Sequence, residues 1–342
     1  MSTLPSFTLP APLADPVSGP TCWTADSLRA SQHWVHELND AEVNDLKRAL
    51  DGVAGRELLS ISRDDFPLPV LAQRLARIRA DVLNGTGLAL MRKLPVAGED
   101  EERVSHLLWG LGLYLGIAQK QDAAGALLHH VRDTGVHVAG RDDVRTFQTN
   151  EAQPWHNDGG DAFLLLCREV AQTGGKSYVA SAHAVFNALL ERDPELVRTL
   201  QQNFYFDARG QGLLGRGNVQ SVPIYSWHEG RLLVLHKRHY IDLAQRFEEV
   251  PKLTRAQREA IDALEEICDD PHYHLAFDLE PGDLEIANNF AVFHKRGAFD
   301  QSADSPSRRH MLRLWLGMPD GWPLPEVFRE TREYGPLFAI RR

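Results

Sequence analysis

The chain has 342 residues, of which 43% are apolar and 25% are charged, and its formal net charge is -10. This composition is ordinary for a soluble globular protein with a sizeable core. The acidic balance argues against a general nucleic-acid-binding surface, so no nucleic-acid partner is expected.

Three cysteines, Cys22, Cys167 and Cys268, lie far apart and form no CxxC pair. Neither a zinc knuckle nor a disulfide framework is therefore indicated, and we predict three reduced, mostly buried thiols. The N-terminal stretch lacks a basic region followed by an apolar one, and no apolar run reaches transmembrane length. We expect a cytoplasmic protein with no membrane partner.

The first part of the sequence predicts an extended arm followed by helices and strands. Residues 1–22 are rich in Pro, Ser and Thr and are predicted to form an extended N-terminal arm, followed by a single domain over residues 23–342. Apolar residues at helical spacing predict helices, and short apolar runs predict strands. The predicted helices are 40–53, 68–84 and 101–116, and the predicted strands are 87–96 and 129–132.

The second part alternates short apolar runs with turn signals. Many short strands with inserted helices favour a mainly β sandwich or jelly roll with flanking helices over a doubly wound sheet. A helix over 254–268 is marked by a capping box, Thr254 with Gln257 three residues later. The other predicted elements are helices 184–191 and 194–202, a hairpin of 224–227 with 232–235, and strands 162–167, 176–181, 273–279, 284–287, 291–294 and 311–316.

The run QPWHNDGGD contains His156-Asn157-Asp158, and His156 is the only one of the 15 histidines with a carboxylate two residues later. On an extended strand these two side chains share a face, so they could hold two adjacent positions on one metal ion. With a distant histidine they would form the 2-His-1-carboxylate triad of non-haem Fe(II) oxygenases. One such pair also arises by chance in a chain of this composition, as a His and an Asp in a surface turn.

The candidates for the third ligand are His272, His274 and His294. The first two flank Tyr273 near the start of a predicted strand and are interpreted as polar rim residues. His294 ends the run LEIANNFAVFH after a Pro-Gly-Asp turn, where a satisfied core histidine is the alternative interpretation. We favour His294 because of the residues that follow it.

Those residues are RRHMLRLWL at 308–316. On a strand Arg309, Met311 and Arg313 share one face, opposite a face of leucines that belongs to packed core. Two interior guanidinium groups are costly unless anions meet them, and arginine grips carboxylates in a two-pronged fork. The pair therefore predicts a site for a dicarboxylate cosubstrate, with structural pairing to buried Asp or Glu as the alternative.

Together these residues resemble the taurine dioxygenase/TfdA family of Fe(II)- and 2-oxoglutarate-dependent oxygenases, close to its clavaminate-synthase-like branch. The resemblance covers about residues 85–320. It rests on an ordered set of motifs: WHND at 155–158, TGGKS at 173–177, the PGD turn with NNFAVFHKRGAF at 281–299, and RRHMLRLWL.

The resemblance implies a double-stranded β-helix core, with iron held by His156, Asp158 and His294. It implies that Arg309 grips the distal carboxylate of 2-oxoglutarate, assisted by Ser177, where the family usually has threonine. O2 would take the last iron position, and succinate and CO2 would be released as a C–H bond is hydroxylated. Related halogenases lack the carboxylate that Asp158 supplies, so an oxygenative outcome is expected.

The resemblance leaves the substrate open, beyond a small molecule that is anionic or amino-acid-like. Arg313 aligns with a position that contacts an anionic substrate in some members, although it could serve 2-oxoglutarate or structure. Asn150 and Trp155 are further substrate-pocket candidates, with packing as an equal alternative for Trp155. The glycine-rich segment 205–222 is either a lid or an ordinary loop. Zinc-dependent hydrolysis and a non-catalytic jelly-roll binding protein remain the alternative functions.

Overall fold

The computed structural model describes residues 9, 11–135, 148–209, 219–300, 308–329 and 331–335. Over this range the chain mixes helices with β-sheets. The helices are α1 Ala25–Ser31, α2 Asp40–Gly52, α3 Ala72–Asn84, α4 Glu101–Leu115, α5 Ala182–Arg192, α6 Pro194–Leu200, α7 Arg238–Ala244, α8 Arg255–Asp269 and α9 Glu326–Arg329.

The strands are short, as the sequence pattern predicts. They are β1 Val35–Glu37, β2 Leu88–Arg92, β3 Ile117–Gln119, β4 Leu128–Arg132, β5 Gln153–His156, β6 Ala162–Glu169, β7 Thr173–Gly174, β8 Ser177–Ser181, β9 Asn203–Asp207, β10 Val219–Pro223, β11 Tyr225–His228, β12 Arg231–Val234, β13 His274–Phe277, β14 Leu284–Asn288, β15 Val292–Arg296, β16 Phe299–Asp300 and β17 His310–Gly317.

The longest amphipathic helices begin where side chains satisfy the first backbone N–H groups. In α8 the Thr254 side chain accepts from the Gln257 amide while the Gln257 side chain accepts from the Thr254 amide, which confirms the predicted capping box. A second capping box, between Asn39 and Glu42, opens α2. The predicted helix from residue 68 begins later, at Ala72, because Pro69 disfavours helical geometry at Leu68 and the N-cap residue Leu71 provides no side-chain cap.

The larger sheet has seven strands in the order β1-β2-β14-β6-β17-β3, with β4 also paired to β17. Its central strands pair antiparallel, and β17 lies between β6 on one side and β3 and β4 on the other. The predicted alternation along β17 is confirmed. Leu312 and Leu314 pack with α2, α3 and α4 in one apolar cluster, and Met311 belongs to another cluster on the opposite face.

The smaller sheet has four antiparallel strands in the order β13-β8-β15-β5. Helices α5, α6 and α8 pack beside it in the apolar cluster that contains Met311. The inner faces of the two sheets meet: the ring of Phe163 on β6 lies 4.4 Å from the ring of His294 on β15. Ser177 on β8 also hydrogen-bonds to Glu285 on β14. The space between the sheets holds the polar site described below.

The described part of the predicted arm runs along α5 and α6. The amide and carbonyl of Leu13 bond to the Gln201 side chain, and the amide of Val17 donates to Asn187. Residues 210–218 of the predicted lid segment lie outside the described residues. Cys167 and Cys268 are buried free thiols, whereas Cys22 is partly exposed. Within the described ranges no helix has the length and apolar character needed to cross a membrane.

Candidate active site

The two histidines of the predicted triad face each other across a pair of strands. His156 on β5 and His294 on β15 are direct partners in the antiparallel register, and their ring centroids are 3.9 Å apart. Asp158 follows β5, and its Oδ1 and Oδ2 lie 3.9 Å from His156 Nε2 and His294 Nε2 respectively. Bonds of about 2 Å let one ion bridge donors up to about 4 Å apart, so the three groups fit a single metal ion.

The protonation states also suit a metal. Burial lowers the pKa of His156 to about 4 and lowers that of His294 well below its ordinary value, so both imidazoles are neutral. Burial acts to raise the pKa of Asp158, but the Arg313 guanidinium is the largest of the neighbouring influences that outweigh it and hold the pKa below its usual range. His156 Nδ1 donates to the Pro154 carbonyl at 2.8 Å, so the lone pair lies on Nε2. In the structure this lone pair accepts a hydrogen bond from Gln153 Nε2 at 2.8 Å, a bond that a metal ion would replace. The donor set is the one that non-haem iron favours.

Two buried asparagines, neither of which the sequence pattern singled out, hold this motif in place. The Asn157 side chain donates to the carbonyls of Asn289 and Val292 and accepts from the His236 amide. Asn289 accepts from the Asp158 amide. These bonds tie the metal motif to the loop before the strand of His294. The sequence feature that could have indicated this role is the pair Asn288-Asn289, which follows the Pro-Gly-Asp turn.

The two glycines after the motif allow close backbone approach, as their position suggests. A Cβ atom on Gly159 would lie 2.6 Å from the Trp315 ring. Gly160 has a φ of +74°, and a Cβ atom there would lie 2.8 Å from the Leu316 carbonyl oxygen. Larger residues would therefore push the loop away from β17, which carries Arg313 and begins directly after Arg309.

One cavity at the triad brings together the predicted cosubstrate residues. It is lined by all three candidate ligands and by Ser177, Glu285, Arg296 and Arg309, among others. Arg296 is a buried arginine that the sequence reasoning missed; it lies two residues beyond His294 and donates to the carbonyls of Thr149 and Glu151. Its guanidinium and that of Arg309 both contact the ring of Phe299.

The charges in this cavity influence one another. Burial, followed by the neighbouring Arg309, lowers the pKa of Arg296 to about 9, and burial lowers the pKa of Arg309 to about 10. Glu285 accepts a hydrogen bond from Ser177 Oγ at 3.3 Å, and burial raises its pKa to about 7. The cavity thus contains two guanidinium groups, and its one glutamate side chain is readily protonated and then carries no charge. Such a cavity suits a dicarboxylate.

A second cavity meets the first at Gln153, His156, Asp158 and Arg313, which line both. Its lining includes His156, Asp158 and Arg313, together with Trp155, Trp315, Lys237 and Arg332. Arg313 Nη1 donates to both oxygens of Asp158, and its Nε donates to Gln121. No sequence pattern indicated that Lys237 or Arg332 belongs to the site. Lys237 follows the predicted hairpin, and Arg332 lies after the last predicted strand.

The remaining candidate residues from the sequence differ in burial, in hydrogen bonding and in whether they reach a cavity. Trp155 is buried, donates from Nε1 to Asp269 and packs against Tyr178 and His274, with part of its surface at the second cavity. Asn150 is half-buried and its carbonyl accepts from the Phe299 amide. It is absent from the described lining of both cavities. His272 is exposed, and His274 Nδ1 bonds to the Cys268 carbonyl.

A further group with metal-binding residue types lies elsewhere, formed by Glu101, His130 and His310. Arg132 donates to Glu101, and Arg168 contacts His310. The two guanidinium groups disfavour a cation there, and the two histidines bond directly to each other at 2.9 Å. The His156 group is therefore the better metal site.

Comparison with known proteins gives matches over most of the chain. The model of the family described as "Taurine catabolism dioxygenase TauD, TfdA family" matches residues 42–315. The chain is 30% identical over 336 residues to FR-33289 synthase of Streptomyces rubellomurinus (strain ATCC 31215), covering 96% of this chain and 98% of that protein. It is 27% identical to a uridine-5'-phosphate dioxygenase of Amycolatopsis sp over 174 residues, which are 49% of this chain and 62% of that protein.

The fold is also similar to that of solved structures. An asparagine oxygenase in complex with Fe(II), 2S,3S-3-hydroxyasparagine and succinate superposes with a TM-score of 0.65 at 18% identity, covering 83% of this chain and 94% of that one. A sequence identity this low supports a similarity of fold and nothing further. The extent of the family match decides the assignment: the chain belongs to the TauD/TfdA family and is a non-haem iron dioxygenase that uses Fe(II), 2-oxoglutarate and O2.

Proposed function

We propose that the protein hydroxylates an unactivated C–H bond of a small anionic or amino-acid-like substrate and releases succinate and CO2. His156, Asp158 and His294 hold the iron, and Arg309 with Ser177 holds the distal carboxylate of 2-oxoglutarate. Arg313 and Trp155 face the substrate, and Asn150 supports this pocket. The core that carries the site is a double-stranded β-helix over about residues 85–320, within a single domain of residues 23–342 behind an arm of residues 1–22.

The observation that carries the proposal is that two cavities with different linings meet at His156, Asp158 and Arg313. His156 and Asp158 line both cavities, whereas Arg309 and Ser177 line one and Trp155 lines the other. A cosubstrate in one cavity and a substrate in the other can thus reach one metal ion. When bound, iron and 2-oxoglutarate supply the oxidising chemistry, and the chain's own residues orient both molecules and limit access of water.

The substrate class rests on charge. Arg313, Lys237 and Arg332 line the second cavity, and its described lining contains a single carboxylate, that of Asp158. An anionic group on the substrate would be attracted there. The name of the uridine-5'-phosphate dioxygenase, a relative that matches half of this chain, points in the same direction. A zinc hydrolase would need the triad but would have no use for the cavity of Arg309, Arg296 and Ser177.

The test is anaerobic addition of Fe(II) and 2-oxoglutarate to the purified protein. A weak visible charge-transfer band is expected, because 2-oxoglutarate binds the metal directly. His156→Ala and Asp158→Ala should lose both this band and succinate formation, while the exposed control His272→Ala should keep them. Tight zinc binding with no band in the wild-type protein, or succinate formation retained in His156→Ala, would overturn the proposal.

A further inference from the structure

Gln153 lies where the two cavities meet. It is one of four residues that line both of them, and the other three are His156, Asp158 and Arg313. His156 and Asp158 are candidate metal ligands, and Arg313 carries a charge and is bonded to Asp158. Gln153 is the one of the four that is neither a candidate ligand nor a charged group. It also precedes the WHND motif of residues 155–158.

A bulge in β5 turns Gln153 towards the metal site. In a regular strand, residues three apart point to opposite faces, so the side chains of Gln153 and His156 would diverge. In the pairing with β15, His294 is opposite His156 and Arg296 is opposite Gln153, so three steps along β5 match two steps along β15. An extra residue of this kind changes the direction of the side chains beside it. Gln153 and His156 consequently share a face.

Pro154 explains why the bulge forms at this point. Proline has no amide hydrogen to donate to a strand ladder, so within sheets it is found at edge strands and bulges. β5 is the outermost strand of its sheet. The Pro154 carbonyl also accepts from His156 Nδ1 at 2.8 Å, which places the imidazole lone pair on Nε2. One short segment therefore sets both the tautomer of His156 and the direction of Gln153.

The Gln153 amide reaches the metal-facing nitrogen of His156. The two Nε2 atoms lie 2.8 Å apart, and the Gln153 amide is the donor because His156 Nε2 carries the lone pair. A metal–imidazole bond is about 2 Å long, so a metal ion on His156 would lie within about 5 Å of the amide nitrogen. A small ligand on the metal would span that gap. Gln153 is thus close enough to hydrogen-bond to a group bound to the metal.

A metal ion would replace the bond between Gln153 and His156, and an amide without an acceptor is unfavourable in a half-buried site. The carboxylates in the described cavity linings are those of Asp158 and Glu285. Arg313 already donates to both oxygens of Asp158, and Ser177 donates to Glu285. The other charged side chains in these linings are Lys and Arg, which offer donors only. A ligand of the metal is therefore the acceptor best placed for the Gln153 amide.

We propose that Gln153 donates a hydrogen bond to the small ligand that the metal holds at the junction of the two cavities, which is the position that O2 would take. The inference rests on the proposed function, since it takes His156, Asp158 and His294 as the metal ligands. With 2-oxoglutarate in the cavity of Arg309 and the substrate in the other, the junction is the place left for O2. An amide donor there orients the ligand and adds no charge.

The experiment uses nitric oxide, a neutral two-atom ligand that binds Fe(II) in place of O2. The full chain is loaded anaerobically with Fe(II) and 2-oxoglutarate, nitric oxide is titrated in, and the affinity and the N–O stretching frequency of the complex are measured. Gln153→Met keeps the length of the side chain and removes the amide. We expect the variant to bind nitric oxide about 2- to 10-fold more weakly and to shift the N–O frequency, because a hydrogen bond to the bound ligand is lost. An unchanged frequency would overturn the proposal.

Two further measurements on Gln153→Met distinguish this role from damage to the site. The variant should bind Mn(II) about 2- to 10-fold more tightly than the wild-type protein, because the amide no longer competes for the His156 lone pair. Its affinity for 2-oxoglutarate, measured on the Mn(II)-loaded protein, should be unchanged. Weaker Mn(II) binding by a folded variant would mean that the amide supports the metal ligands, and a loss of 2-oxoglutarate affinity would mean that it contacts the cosubstrate. Either result contradicts the proposal.

Gln202→Met is the matched control, because Gln202 is exposed and lies outside the described linings of both cavities. This variant should equal the wild-type protein in all of these measurements. A shift of the N–O frequency in Gln202→Met as large as that in Gln153→Met would overturn the assignment to Gln153.

The wild-type protein tests the proposed function separately. It should form the nitric oxide complex, and His156→Ala should not. If the wild-type protein forms no complex, the proposed function fails; if the complex forms and its N–O frequency is the same in Gln153→Met, the role of Gln153 fails alone. Should Gln153→Met not fold, as judged by its thermal transition, Gln153→Leu takes its place with the same expected results.

Discussion

Arg313 Nη1 donates to both carboxylate oxygens of Asp158, at 3.2 and 3.0 Å. The same carboxylate faces both candidate histidine ligands. Arg313 and a metal ion are therefore competing partners of one buried anion. This competition links occupancy of the metal site to the position of the guanidinium in the second cavity.

Arg313→Gln should bind Mn(II) several-fold more tightly than the wild-type protein in the absence of other ligands, because a competing positive charge has been removed. The metal-free variant should also unfold at a lower temperature, since a buried carboxylate has lost its partner. Electron paramagnetic resonance titration measures the first effect and calorimetry the second. Weaker Mn(II) binding would instead mean that Arg313 orients Asp158 for the metal.

Arg309→Ala should raise the 2-oxoglutarate requirement about 10- to 100-fold, the usual effect of losing a charge-assisted bond to a carboxylate. The Michaelis constant for 2-oxoglutarate is the measurement, with succinate as the detected product. Arg308→Ala is the matched control, because Arg308 is adjacent in sequence but exposed. An unchanged requirement in Arg309→Ala would remove Arg309 from the cosubstrate site.

Glu285 should make the fold less stable as the pH rises. Burial raises the pKa of Glu285 from 4.5 to about 7 in the folded protein, so the folded state holds this proton more tightly than the unfolded state. The contribution to stability is present below about pH 4.5 and is lost as the pH rises towards 7. Glu285→Gln should therefore gain about 2–3 kcal/mol over the wild type at pH 8 and little at pH 4.5, as measured by urea unfolding.

The same ionisation should affect the cosubstrate. An ionised Glu285 lies in the cavity of Arg309 and Ser177, where it repels a second carboxylate. The Michaelis constant of the wild-type protein for 2-oxoglutarate should rise above pH 7, and that of Glu285→Gln should remain nearly flat. Parallel pH profiles in the two proteins would show that Glu285 does not influence cosubstrate binding.

Asn157→Ala should destabilise the protein by about 2–4 kcal/mol, because three buried bonds are lost and their backbone partners are left unsatisfied. Its metal affinity should fall as well, since Asn157 lies between the two ligands of the motif. Asn150→Ala is the control for stability alone, because the hydrogen bond of Asn150 to the Phe299 amide is made by its backbone carbonyl and survives the substitution. Equal stability of the two variants, compared by thermal unfolding, would contradict the structural role of Asn157.

Much of the secondary structure follows from local sequence. The capping box at Thr254, the helical spacing in α2 and the alternation along β17 are properties of neighbouring residues, and each is present in the structure. The boundaries differ by a few residues, as at α3, because a helix can begin late when its first turn lacks a cap. The motif of His156 and Asp158 was visible for the same local reason.

Other site residues could not be predicted in this way. Arg296 and Glu285 lie inside the motif of residues 281–299, but no local pattern marks either as a residue of the site. Lys237 and Arg332 lie outside all the motifs. Their surroundings arise from contacts between strands that are distant in sequence. Glu285, for example, faces Ser177 because β14 and β8 belong to sheets whose inner faces meet.

The sequence by itself determined the periodicities, the caps and an ordered set of motifs, from which the family could be recognised. The tertiary structure decided which side chains surround the triad: that His294 stands opposite His156, that Arg313 bonds to Asp158, and that one cavity is flanked by cations. The physical reason is the distance along the chain over which each effect acts. Local propensity acts over one or two turns of chain, whereas burial and charge at a site depend on surfaces that long-range strand pairing brings together.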